Sequence, residues 1–162
     1  MDSPKPIKRS KELVQLSRDH HEGLLLCWKI KTGIAKNIEI NRIIKYICYF
    51  YDEDLSQHFE VEEKYLFPIL SQNNELRAKA EKQHFDLQDF IKTFKTKKNI
   101  SQQTLIDFSA LLTEHIRFEE RELFPFIEKN VEPKKLKAIS DLLNNHLNNK
   151  ELNWSDNFWI NK

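Results

Sequence analysis

Glycine is nearly missing from this chain, with 2 in 162 residues, and proline is scarce at 5. So few turn formers exclude a fold of many short strands and favour long helical elements. Net charge is also nearly absent, at +1. That gives no electrostatic reason to expect nucleic acid or an anionic membrane as partner. The short basic run Lys95-Thr96-Lys97-Lys98 suits a solvated helix end, where cations complement the dipole. No apolar run approaches the ~20 residues of a membrane span. The start, Met1 to Lys11, is polar, carries Pro4 and Pro6, and does not read as a signal peptide. The expectation is a cytoplasmic protein. The 2 cysteines, Cys27 and Cys48, fall among apolar residues and read as buried free thiols. Without a thiolate cluster, iron–sulfur binding has no support. No phosphate loop, Ser-His-Asp order or Cys-x-x-Cys supports nucleotide binding or nucleophilic hydrolysis.

What the chain does have is a near-repeat. Residues His58 to Pro68 and His115 to Pro125 both read His-x-x-x-Glu-Glu-x-x-Leu-Phe-Pro. On a helix, positions i and i+4 share a face. Each stretch therefore aims one imidazole and one carboxylate the same way: His58 with Glu62, and His115 with Glu119.

The spacing of apolar residues predicts five helices. The first runs from a Ser10 cap to about Thr32, with Gly33 as its stop. The second covers about 38–67, and its stripe of Ile40, Ile44, Ile47, Tyr51 and Leu55 continues unbroken through His58, Glu62 and Leu66. Polar groups at positions that call for burial need partners or a metal. Pro68 bends or ends that helix. The third fits 74–97, with His84 inward, and Asn99 breaks it. Ser101 caps the fourth, which runs to about Lys129 with Leu105, Phe108, Leu112, His115, Glu119 and Phe126 in phase. Pro133 opens a shorter fifth helix to about Asn148. The tail's Trp154, Phe158 and Trp159 are expected to dock on the body.

Each half is thus a helical hairpin, one helix giving a lone histidine and the next giving His plus Glu. The predicted fold is all-α: an antiparallel, up-down four-helix bundle with a short extra C-terminal helix and a docked tail. The predicted organisation is an arm over 1–9, the bundle over 10–130, and the helix and tail over 131–162.

The inward set is His21 or His20, with His58, Glu62, His84, His115 and Glu119. Four imidazoles and two carboxylates exceed what one zinc takes. They suit two first-row ions, with Glu62 and Glu119 bridging and an oxo or hydroxo bridge completing each ion. Imidazole with carboxylate suits iron, with manganese or zinc as alternatives. One coordination position per ion would stay open for a small molecule.

Over about residues 10–128, this constellation resembles the hemerythrin family in its bacterial HHE cation-binding branch. The resemblance implies a non-haem diiron centre in a four-helix bundle, with His58, Glu62, His84, His115 and Glu119 as ligands. For the first helix, family members place a hydrophobic residue three after the ligand, which favours His21 through Leu24. The apolar stripe Leu13, Leu16, Leu24, Cys27 favours His20. His21 is taken as the expected ligand. The oxygen-carrying members have a further histidine where this chain has Gln88, and Asp at a five-residue step where it has Glu119 at four. The pattern is closer to members that repair iron–sulfur clusters under nitric-oxide stress, but those carry a Cys-bearing N-terminal domain that this chain is expected to lack.

Glu63 and Glu120 are candidate acceptors for ligand imidazole N–H groups. His146 is expected to face solvent, and Tyr51 and Tyr65 to line the site or pack. Three functions follow from these features. The first is a diiron protein that binds or senses O2, NO or iron at a His4Glu2 site. The second is a diiron oxidoreductase acting as oxidase, peroxidase, NO reductase or in iron-centre repair. The third is a metal-free helical scaffold. Binding is favoured over catalysis, the small partner being O2, NO or peroxide, and the protein a monomer or dimer.

Overall fold

A computed structural model describes residues 9–147 and 151–160, and among these every regular element is helical. Helix α1 is Val14–Ala35. Helix α2 is a continuous rod over 40–69. It has α segments Ile40–Phe50 and Ser56–Val61, π turns Tyr51–Leu55 and Glu62–Leu66, and a closing 3-10 turn Phe67–Ile69. Helix α3 is Glu75–Thr96. Helix α4 is a rod over 102–130, with α segments Gln102–Phe118 and Phe124–Asn130 around a π turn Glu119–Leu123. Helix α5 is Pro133–His146, with Pro133 in its first turn. Among the described residues, no helix is long and apolar enough to cross a membrane.

The helix ends follow local chemistry. Asn74 Oδ1 accepts from the Leu76 and Arg77 N–H groups at 2.9 and 3.0 Å, capping α3. Ser101 Oγ accepts from the Thr104 N–H and caps α4. Two expectations at α1 are corrected. Ser10 does not cap it by its side chain; the helix begins at Val14 without a side-chain cap. Gly33 does not stop it; the helix runs to Ala35, and Asn37 makes the turn at φ 58°. Gly33 is needed instead for packing. A Cβ there would lie 2.8 Å from Phe158 Cε2 and 3.0 Å from Ile43 Cδ1.

The α2 stripe predicts an unbroken helix, but the rod is interrupted by π turns. Two of the π turns in the structure begin at Glu62 and Glu119, each ahead of Leu-Phe-Pro. Pro68 and Pro125 have no N–H for the carbonyl four residues back, and their rings crowd it. Widening the preceding turn relieves that crowding without ending the rod. In α4 the turn also shifts the phase. Leu123, Phe124 and Ile127 are buried, while Phe126, expected inward, is half-buried.

Among the described residues the core has two apolar clusters, and the order in which each helix visits them reveals the topology. On α1, Leu16 and the preceding Leu13 belong to one cluster and Leu26 and Ile30 to the other, with His20 between. On α3, Ala80 and Leu87 flank His84 in the same order. On α2 and α4 the order reverses: Phe50 then Leu66, and Phe108 then Leu123. The rods are therefore alternately up and down. Helix α1 packs on α2 and α4, and α3 packs on the same two. Short loops enforce this arrangement. Gly23 lets α1 approach α4 closely, since a Cβ there would meet Ile116 Cδ1 at 2.8 Å.

The tail packs on the bundle end. Phe158 is buried in the cluster that holds Leu26 and Ile30, and Trp154 and Trp159 are half-buried against Tyr46. Lys36 Nζ donates to the Trp159 carbonyl at 2.9 Å, and Arg42 forms a two-point pair with Asp156. At the other end Arg9, expected in an extended arm, is docked between Glu120 and Glu128; positions 1–8 of that arm lie outside the described residues. Of the two thiols, both free, Cys27 is buried but Cys48 only half so.

Candidate metal centre

The polar belt between the two apolar clusters is built from one residue of α1, two of α2, one of α3 and two of α4. His20, His58, Glu62, His84, His115 and Glu119 are all buried, and Glu62 and Glu119 have 0% exposure. Their ligand atoms fall into two quartets, each drawn within 4.8 Å of one another. One is His20, His58, Glu62 and Glu119; the other is Glu62, His84, His115 and Glu119. The two carboxylates belong to both.

His21 is not among them. It is exposed, whereas its neighbour His20 is buried. The expectation for His21 is corrected on geometric grounds. One residue along a helix is a rotation of about 100°, and buried Leu13, Leu16 and Cys27 put position 20 on the inner face. Leu24, the residue that favoured His21, is itself exposed.

Each imidazole is anchored from behind through Nδ1. His20 Nδ1 bonds Glu120 Oε1 at 2.7 Å, and His58 Nδ1 bonds Asp19 Oδ2 at 3.2 Å. His84 Nδ1 bonds Glu63 Oε1 at 3.0 Å, and His115 Nδ1 bonds Gln83 Oε1 at 2.7 Å. These contacts form a ring round the bundle, from α1 to α2, α2 to α3, α3 to α4 and α4 to α1. In each case the acceptor is the sequence neighbour of an inward group on its own helix. The carboxylates can only accept, so Nδ1 carries a proton and Nε2 is the nitrogen turned inward, free to bind a cation once any proton on it leaves.

The interior then collects acceptors. His84 Nε2 and His115 Nε2 are 3.1 Å apart. Glu119 Oε1 lies 3.0 Å from His20 Nε2 and 3.1 Å from His115 Nε2. Glu62 Oε1 lies 3.1 Å from His58 Nε2 and 3.3 Å from His84 Nε2. None of these Glu62 approaches has hydrogen-bond alignment. Both Glu62 oxygens, Glu119 Oε2 and His58 Nε2 are buried without a hydrogen bond. A dry cluster of lone pairs is stable only if protons or cations neutralise it.

Without a cation, protons must serve. Burial disfavours charging His20, but Glu119 and Glu120 outweigh it and lift its pKa to about 9. Burial is likewise outweighed at His84 by Glu62 and Glu63, again giving about 9. Burial wins at His115, which falls to about 4 despite Glu119. Glu62 is pushed well above the usual carboxylate range by burial and by the facing Glu119. Burial also opposes ionising Glu119, but His115, Glu62 and His20 hold it well below that range. The two acids are split as pairs sharing one site are. The residues present fit metal ions: nitrogen and oxygen donors converge in two sets of four, tautomers are set for Nε2 donation, and buried donor atoms lack other partners.

The sequence reading missed Asp19 and Gln83. Their only signal was position, one residue before an inward histidine. Tyr51 packs edge-on against Phe59 at 6.4 Å between centroids, and Tyr65 stacks on His146 with its hydroxyl 2.9 Å from His146 Nε2. His146 is exposed as expected, yet it is not free of contacts.

A family model described as the hemerythrin HHE cation binding domain matches residues 11–127. No curated protein and no solved structure matches the chain.

Proposed function

The chain belongs to the hemerythrin HHE cation-binding family, and from that premise we propose that it is a non-haem diiron protein that binds or senses O2 or NO. The observation that carries this reading is the pair of four-donor sets sharing Glu62 and Glu119. His20 and His58 would hold one ion, His84 and His115 the other, and Glu62 and Glu119 would serve both. Imidazole with carboxylate is a donor set that suits iron. When bound, two irons would supply reversible redox change and an open position for a diatomic ligand.

The chain's own residues support binding over turnover. Phe59 stacks on His84 at 3.9 Å between centroids, Phe67 lies 5.2 Å from it, and Phe124 stacks on His20 at 5.3 Å. These rings exclude water from the belt. Asp19, Glu63 and Glu120 are committed to holding imidazole protons. Burial pushes the hydroxyl of Tyr51, a candidate proton donor, above its usual range. A general acid would need to stand within reach of the reacting group.

The test is anaerobic reconstitution of the purified chain with Fe(II), followed by elemental analysis and exposure to O2 and to NO. Two irons per chain and a new near-ultraviolet or visible band are expected. Loaded protein with no spectral response to either gas would refute the reading. Sustained consumption of peroxide or NO would replace it with the oxidoreductase alternative.

A further inference from the structure

The ring of contacts behind the four imidazoles is not uniform. His20 and His58 are backed by Glu120 and Asp19, with side-chain exposures of 22% and 19%. His84 is backed by Glu63, exposed at 43%, and His115 by an uncharged amide, Gln83. One quartet thus has two largely sheltered anions behind it. The other has one solvent-screened anion and no charge on its second imidazole.

An anion behind an imidazole raises its basicity toward a metal and fixes its tautomer. Gln83 does neither in the same way. Its side chain is buried, and an amide can present either its oxygen or its NH2 to the ring. With the oxygen toward Nδ1, as here, the His115 lone pair faces the interior. With the amide turned over, Nδ1 would accept and the proton would move to Nε2, closing that nitrogen to a cation. None of the three carboxylates allows this while ionised. The halves of the chain match at this step, residue 19 standing before His20 and residue 83 before His84, so Asp against Gln is the difference between them.

We propose that Gln83 makes the two metal positions unequal, so that the His20–His58 quartet fills first and tightly and the His84–His115 quartet fills second, weakly and reversibly. This rests on the dimetal reading above and specifies its order of loading. Gln83 acts through His115 and is a positioning residue.

The experiment is titration of the metal-free full chain with Co(II), followed by calorimetry and visible absorption, with imidazole 15N NMR to report tautomers. Wild-type protein should take two Co(II) in two steps whose affinities differ by about 10-fold or more, the scale of such outer contacts on metal affinity. Gln83→Glu should tighten the second step by about 10-fold and leave the first unchanged. Gln83→Leu, which adds no buried charge and keeps the interior filled, should weaken the second step alone. His115→Ala should abolish the weak step and His20→Ala the tight one. In the metal-free state, His115 should be the imidazole with a mixed tautomer signal. Two indistinguishable steps in the wild type, or a Gln83 substitution that shifts both steps equally, would overturn the proposal while leaving a dimetal site standing. A wild-type chain that binds no Co(II) and no Fe(II) would overturn the dimetal reading itself.

Discussion

Replacing Glu62 by Gln separates the two roles of that side chain. In the metal-free protein Glu62 is held toward its neutral form by burial and by Glu119. Gln has nearly the same shape and no charge. Metal-free Glu62→Gln should therefore keep its stability to within about 1 kcal/mol, at the mild end for a buried substitution. The metal-loaded protein should behave differently, because Glu62 belongs to both quartets. A ligand present at a hundred times its dissociation constant stabilises by about 2.7 kcal/mol, so two ions contribute about 5 kcal/mol. For a domain of this size each kcal/mol moves the midpoint by about 2–4 °C, so loading should raise the wild-type melting temperature by roughly 10–20 °C. Glu62→Gln should lose most of that rise, and His20→Ala, which touches one quartet, about half. The assay is thermal unfolding by circular dichroism with and without saturating metal, the loaded stoichiometry being checked by elemental analysis. A Glu62→Gln protein that keeps the full metal-dependent rise would refute the sharing of this carboxylate. A metal-free variant melting 10 °C below the wild type would refute its neutral form.

Three further outcomes are expected. His20→Ala should lower metal content from two ions toward one, while His21→Ala, at an exposed position, should leave it unchanged by elemental analysis. Metal binding should release protons at pH 7, because the metal-free chain keeps His20 and His84 protonated up to about 9. Apparent affinity should therefore climb with pH until about 9, as seen by calorimetry in buffers of different ionisation enthalpy. The sign is opposite for the metal-free fold. The stability those two histidines give is full below their unfolded value of 6.5 and is lost as pH rises through about 9. Gly33→Ala should destabilise by about 1–3 kcal/mol, the scale for overpacking, because its Cβ collides with Phe158 and Ile43. Urea unfolding would give the loss, and a red-shifted tryptophan emission would show Trp154 and Trp159 leaving the surface.

The twin His-x-x-x-Glu-Glu-x-x-Leu-Phe-Pro stretches, and the apolar stripes running through them, were enough to place His58, Glu62, His115 and Glu119 on inner helix faces. A period of 3.6 is a local property, fixed by which side chains recur on one side of a rod, so fold class and most of the inward set could be read from it. The same period, through Leu13, Leu16 and Cys27, pointed to His20 rather than His21; only packing shows that Leu24, the residue that favoured His21, is exposed. Gly33 misled for the same reason: its small size serves a contact with Phe158, 125 positions away. The π turns at Glu62 and Glu119 were hidden by a pattern that assumes an undistorted helix. The ring that ties Asp19, Glu63, Gln83 and Glu120 to imidazoles on neighbouring helices needs four rods in register. Hydrogen bonds between residues far apart in the chain depend on tenths of an ångström of relative placement, and sequence periodicity carries no such information.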